Sequence, residues 1–243
     1  MTKLDTACNY QRFTAHRSLA QAAGNLLSSF EISTKVGFFP DGHGLDPERL
    51  SAAVRQIPEE LGRVPDTVLL HNPECSPGGF EKACAALADL RDAGYCRAWG
   101  ISSWDPRSLT AREWSVPRAD VVMVRAGLSV PAPVLDAAEL LSARCGARTL
   151  WGMAPFGGDA SDPAWSGVDT SLFLAPGERA TRVQAAVAAA WALPGVERLA
   201  VGTSSAAHLE EVVHAESLTV SADTVGRYRA LLRGRAERVD AAT

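Results

Sequence analysis

Seven short apolar runs, spread along 243 residues and separated by segments of helical period, limit what this chain can fold into. They lie around Leu4 and at residues 30–34, 67–70, 98–101, 121–124, 149–153 and 199–201. Several are apolar on consecutive positions, which suits strands covered on both faces, as in parallel sheets flanked by helices. Between them, residues 15–27, 46–61, 80–93, 133–144, 182–193, 206–215 and 223–239 carry apolar residues at helical spacing, with 182–193 read as amphipathic. Asp46-Pro47 supplies an N-cap and a proline at the first helical position, and Gly94 closes the helix before it. Residues 40–44, 73–79 and 154–178 are loops by their glycine and proline content. Regular alternation predicts an α/β fold of the (β/α)8 TIM-barrel type in one domain, 1–243, ending in a C-terminal helical segment, 221–243.

Parallel α/β sheets gather their chemistry at the carboxyl ends of the strands. Three runs deliver ionisable groups there: Asp5 with Tyr10 shortly after, Lys35, and His71. A phenol titrates near ~10 and is a poor proton donor at neutral pH, but an adjacent ammonium favours its phenolate. Lys35 suits that role, Asp5 would keep the lysine charged and in place, and His71 could orient a reacting oxygen. Such a set protonates a carbonyl oxygen while another reactant, most simply hydride, attacks the carbon. Taken singly, Lys35 with Asp5 reads more readily as a simple buried ion pair, and His71 more readily as a hydrogen-bonded structural residue, than either does as a catalyst.

Asp5-Thr-Ala-Cys-Asn-Tyr10, Ile32-Ser-Thr-Lys35-Val-Gly, Leu69-Leu-His71-Asn-Pro, Trp99-Gly-Ile-Ser102-Ser103 and Ala200-Val-Gly202-Thr-Ser204 occur in that order. In order and spacing they resemble the aldo-keto reductase family. The resemblance implies a catalytic tetrad of Asp5, Tyr10, Lys35 and His71 acting with NADP(H), NAD(H) being the alternative, on an aldehyde or ketone or the corresponding alcohol. It also implies cofactor contacts from Ser102, Ser103, Met123, Met153, Gly202, Thr203, Ser204, His208 and Glu211. Ser103, Met123 and Met153 stand where the family commonly has Asn, Gln and an aromatic or Arg, so carboxamide binding is expected to be weaker by about one hydrogen bond, ~1 kcal/mol. Both methionines also read as core packing. The family's first strand and helix would precede Asp5, so the expected barrel is a short form with seven strands and two unpaired edges. An alternative is a cofactor-independent isomerase or lyase, or a non-catalytic barrel, that keeps the tetrad.

Composition narrows the partners. The net charge of −4 and scattered basic residues leave no footprint for nucleic acid. The longest apolar stretch, 183–193, is too short for a bilayer, and no leader pattern is present, so a cytoplasmic protein is expected, as a monomer or homo-oligomer. Five cysteines without C-x-x-C spacing predict reduced thiols and no metal site, with Cys8 inside the site loop the one to watch. His16 and His43 read as solvated surface groups, and Trp104, Phe156 and Trp165 as either pocket walls or loop anchors.

Overall fold

The computed structural model describes residues 2–240. In chain order the elements are β1 (Lys3–Asp5), α1 (Ala15–Ala23), β2 (Glu31–Val36), β3 (Phe38–Phe39), β4 (Gly42–His43), α2 (Pro47–Leu61), β5 (Thr67–His71), α3 (Phe80–Asp92), β6 (Ala98–Ser103), α4 (Arg107–Thr110), β7 (Val121–Arg125), α5 (Ala132–Arg144), β8 (Thr149–Met153), α6 (Arg182–Trp191), β9 (Arg198–Ala200), α7 (Ala206–His214) and α8 (Ala222–Asp240). The main sheet runs β1-β2-β5-β6-β7-β8-β9, so its strands follow the chain in order. β1 with β2, β2 with β5, β5 with β6, and β8 with β9 pair in parallel. β3 and β4 form a separate two-stranded antiparallel hairpin, in a stretch that composition alone reads as loop.

The contacts divide the chain into two compact units, Met1–Met123 with Leu141–Thr149, and Val124–Leu140 with Leu150–Thr243. In the first unit, Ile32, Val68, Leu69, Leu70, Trp99 and Ile101 of the strands are buried, as are Leu50, Ile57, Leu61, Phe80 and Leu87 of the helices α2 and α3. α2 begins where its cap predicts: the Asp46 carboxylate accepts the Arg49 amide at 2.9 Å, and Gly62 ends the helix in the left-handed conformation. Two aspartates pin the opening amides of strands. Asp66 accepts from Ile32 N at 2.9 Å and pairs with Arg63 and Arg97, while Asp120 accepts from Trp99 N at 3.1 Å and pairs with Arg91 and Arg148.

In the second unit, Leu128, Val134, Leu135, Trp165, Phe173, Ala186 and Leu193 form a core. Residues 185–190 of α6 are all buried, so this helix is covered all round at its centre and is not amphipathic there. Its start is fixed by a capping box between Thr181 and Gln184. α8 is tied to α5 by Arg229, which reaches Asp136 and Glu139, and by Arg233, which reaches Asp136. Within the loop 154–178, Trp165 is buried, donates to Phe156 O at 3.3 Å and meets the Phe156 ring edge-to-face at 5.5 Å. These two aromatics anchor the loop. Among the described residues, no helix is long and apolar enough to cross a membrane.

Close backbone approach is most acute at Gly100 of β6, where a Cβ would stand 2.1 Å from the Val121 carbonyl oxygen and 2.9 Å from the Leu69 side chain. Neither the β7 backbone nor the packed leucine can yield that much. Gly100→Ala is expected to destabilise the protein by about 3 kcal/mol or more, or to prevent folding. The urea midpoint against wild type measures this, and an unchanged midpoint would contradict the packing described.

Candidate active site

β1 and β2 set the base of the site through their register, which pairs Asp5 with Ser33. Ser33 and Lys35 are two residues apart on β2 and project to one face, where both meet the Asp5 carboxylate. Ser33 Oγ donates to Asp5 Oδ1 at 2.7 Å, and Lys35 Nζ donates to Asp5 Oδ2 and, at 2.9 Å, to the Thr6 carbonyl. Lys35 is only 1% exposed. An ammonium so deep in the protein costs several kcal/mol unless paired and hydrogen-bonded, and both partners are supplied by the segment that opens the chain.

After β1 the backbone stays alongside β2: Thr6 N bonds Ser33 O at 2.9 Å and Cys8 N bonds Lys35 O at 3.0 Å. The chain then turns, with Gln11, Arg12 and Phe13 at φ of 50°, 54° and 67°. Three consecutive non-glycine residues in the left-handed region are costly, and such strain clusters at functional sites. The turn leaves Tyr10 42% exposed, with Lys35 Nζ 5.3 Å from its ring centroid. The His71 ring lies edge-to-face at 6.0 Å from that of Tyr10. Asp5, Tyr10, Lys35 and His71 are thus brought together at the carboxyl ends of β1, β2 and β5.

His71 is buried and its Nδ1 has no hydrogen-bond partner among the described residues. Burial first, then the charges of Lys35 and His43, push its pKa down to about 3. It is therefore a neutral imidazole at ordinary pH. Register places Ser102 of β6 beside it, and both Ser102 and Ser103 are fully buried, with Ser103 Oγ unpartnered among the described residues. Met123 is 1% exposed, a degree of burial that suits packing as well as any ligand. The remaining sequence-expected positions belong to the second unit. Met153 ends β8, and Gly202, Thr203 and Ser204 precede α7, where Ser205 Oγ accepts the His208 amide at 3.4 Å. Glu211 on α7 accepts the Thr181 hydroxyl, next to the start of α6.

Three sequence readings change. His43 is not a free surface group: its Nε2 lies 2.9 Å from the His71 carbonyl oxygen and its Nδ1 3.0 Å from Ser76 Oγ. Phe38 of the same hairpin meets both the His43 and His71 rings edge-to-face, at 4.8 and 4.9 Å. His16 is buried too, its Nε2 2.7 Å from Thr34 Oγ1 and its Nδ1 3.1 Å from Glu60, and burial holds its pKa down. Cys8 is a part-exposed thiol pushed up to about 12, mainly by burial, so it is protonated at ordinary pH. The hairpin had a readable signal in aromatic residues flanking Pro40-Asp41-Gly42; nothing in the sequence ties His43 to His71.

The depressed histidines make stability pH-dependent. A group whose folded pKa lies below its unfolded value of ~6.5 binds fewer protons when folded, so stability is retained above pH ~6.5 and lost as pH falls towards 3. From pH 7 to 5 the loss through His71 is expected to be at most about 2 kcal/mol, with His16 acting in the same direction. His71→Asn should flatten the dependence. Urea unfolding of both proteins at pH 7, 6 and 5 checks this; parallel slopes would count against a neutral buried His71.

Residues 1–141 match the family model described as the aldo/keto reductase family. No curated protein matches the chain. Among solved structures it is similar to aldo-keto reductase AKR11C1 from Bacillus halodurans, in its holo form, with a TM-score of 0.73 and 19% identity over 96% of this chain and 82% of that one. It is also similar to the aldo/keto reductase from Klebsiella pneumoniae in complex with NADP and acetate, with a TM-score of 0.69 and 18% identity over 96% and 80%. At such identities the likeness carries the fold, the (β/α)8 barrel type, here with seven strands in the main sheet. The family match spans more than half of the chain and includes Asp5, Tyr10, Lys35 and His71, so the chain belongs to the aldo/keto reductase family of oxidoreductases.

Proposed function

We propose that this protein is an NADP(H)-dependent oxidoreductase that reduces an aldehyde or ketone to an alcohol, or runs the reverse reaction, with Tyr10 as the general acid or base. The observation that carries the reading is the approach of the Lys35 ammonium, fixed by Asp5 and Thr6 O, to the Tyr10 ring at 5.3 Å, with the His71 ring 6.0 Å from that of the phenol. A cation held in that place stands ready to stabilise negative charge developing on the Tyr10 oxygen as its proton is given up. His71 is neutral, and with Nδ1 unpartnered among the described residues, the tautomer protonated at Nε2 has a donor to offer a carbonyl oxygen.

The buried Ser103 hydroxyl, unpartnered among the described residues, fits a polar group such as the carboxamide of a nicotinamide. Ser102 and Ser103 are the residues of the first unit that would hold it, and a bound nicotinamide would supply the hydride. In the second unit, taken by itself, the backbone amides at the start of α7 have the chemistry to donate to an anion such as a phosphate. The Klebsiella pneumoniae relative is described in complex with NADP, which supports the same cofactor here.

Binding is tested by titrating NADPH and NADH against the fluorescence of the six tryptophans, and turnover by oxidation of NADPH with 4-nitrobenzaldehyde. Tyr10→Phe is expected to lower kcat by at least about 10²-fold, the scale of general acid catalysis, while the NADPH dissociation constant stays within about twofold. Lys35→Met should lower kcat and move or flatten its pH profile. Wild-type rates in Tyr10→Phe would remove the assigned proton donor, and proton exchange at a carbonyl substrate without nucleotide would favour an isomerase or lyase.

A further inference from the structure

The β3–β4 hairpin lies outside the main sheet and outside the four residues assigned above, yet it grips His71 from two directions. Gly37, just before the hairpin, has φ +141°, and a Cβ there would stand 3.0 Å from His71 O, 3.5 Å from His71 N and 3.2 Å from His43 Nε2. Only a glycine lets the hairpin base lie directly on the His71 peptide. On the second strand of the hairpin, opposite Phe38, His43 Nε2 lies 2.9 Å from the His71 carbonyl oxygen. A carbonyl can only accept, so Nε2 carries a proton, and Nδ1 is held 3.0 Å from the Ser76 hydroxyl. The ring is therefore fixed at both nitrogens, and its face is fixed by Phe38, whose own ring abuts His71. The hairpin in turn is held to α2: Arg49 lies 4.1 Å over the Phe39 ring, and its guanidinium bonds Asp41 at 2.6 Å.

From this we infer that His43 is a positioning residue for the carbonyl-orienting imidazole, acting through the His71 backbone, with Ser76 fixing the His43 ring. The inference rests on the role proposed above for His71. Its physical content is that His71 Nδ1 has no partner among the described residues, so its side chain is not locked by hydrogen bonding at that nitrogen and takes its aim from its backbone and its aromatic neighbours. Asn72, directly after it, is in the left-handed conformation at φ 49°, where the strand ends. The carbonyl between them is the point at which the chain leaves the sheet, and that is the atom His43 holds. Catalytic geometry is sensitive to such control: a displacement of about 1 Å from a remote change costs on the order of 10²-fold.

His43→Phe keeps a ring against Phe38 and removes both hydrogen bonds, whereas His43→Gln restores a donor towards the His71 carbonyl. With NADPH and 4-nitrobenzaldehyde, His43→Phe is expected to lower kcat about tenfold with the NADPH dissociation constant within about twofold of wild type, and His43→Gln to recover most of the loss. Independently of turnover, ¹⁵N-edited spectra of the histidine side chains, with the His71 signals assigned from His71→Asn, should show one sharp set for His71 in wild type and broadened or doubled signals in His43→Phe. Where His43→Phe does not fold, Ser76→Ala, which frees only the outer nitrogen, should lower kcat at least twofold and broaden the same signals. Unchanged His71 signals and kcat in the folded variant, or equal losses in Phe and Gln, would overturn the positioning role. A wild-type protein that turns nothing over but shows the spectral change would refute the reductase reading and leave the clamp standing.

Discussion

The site depends on one buried ion pair. Lys35 has almost no contact with solvent, and its charge is tolerated because Asp5 and the Thr6 carbonyl meet it at the end of the sheet. Breaking a buried pair by removing one partner costs about 3–5 kcal/mol, since the survivor is left charged and uncompensated. The three residues of β1 therefore do more than add a strand to the sheet. Their register brings Asp5 opposite Ser33, and a slip of one residue would turn the carboxylate to the other face and strand the ammonium. Electrostatics and register enforce each other: the pair fixes the strand, and the strand positions the pair.

From that anchor the rest of the site follows along the backbone. The hydrogen bonds from Thr6 N and Cys8 N to β2 extend the pairing past the end of β1, so the chain reaches Tyr10 on a track already set by Lys35. The left-handed turn at residues 11–13 then halts it. A phenol carried by a free loop would sample many positions relative to the lysine; one carried between a paired segment and a strained turn has far fewer. The cost of the turn, of order 1–3 kcal/mol for each such residue, must be met by the packing around it. The same economy operates at His71, where burial without a charged partner suppresses protonation and leaves an imidazole able to donate without bearing charge.

How much of this could be read from residues alone depended on the kind of interaction. Strands such as 67–71 and 121–125 announce themselves, because burial on both faces demands consecutive apolar residues, and α2 announces its start through Asp46 and Pro47. The pairing of Lys35 with Asp5 was legible because two strand ends in a parallel sheet share one mouth. His43 was not, because its role is set by a backbone carbonyl, which every residue possesses and no sequence pattern marks. His16 was missed for a related reason: a histidine on the buried face of α1 is told from a solvated one only by Thr34 and Glu60, which lie 18 and 44 residues away in the chain. α6 misled in the other direction, since its alanine-rich run has polar residues at one end and looks one-sided, while the structure buries its centre completely.

The hairpin shows what lies beyond such patterns. Its four residues are too few to fold by themselves, for an isolated two-stranded ribbon is marginal in water even at greater length. It persists because Arg49 holds its tip, Gly37 lets its base lie on β5, and His43 closes it onto the same strand. Each of these contacts comes from a different residue, and two of them converge on the peptide of His71. The ion pair at β1 and β2 stands beside Tyr10, the proposed proton donor, and the hairpin acts on His71, proposed to face the same substrate oxygen. Two devices that share no residue thus restrain Tyr10 and His71, and the second rests on His43, which lies in no motif that carries the family resemblance.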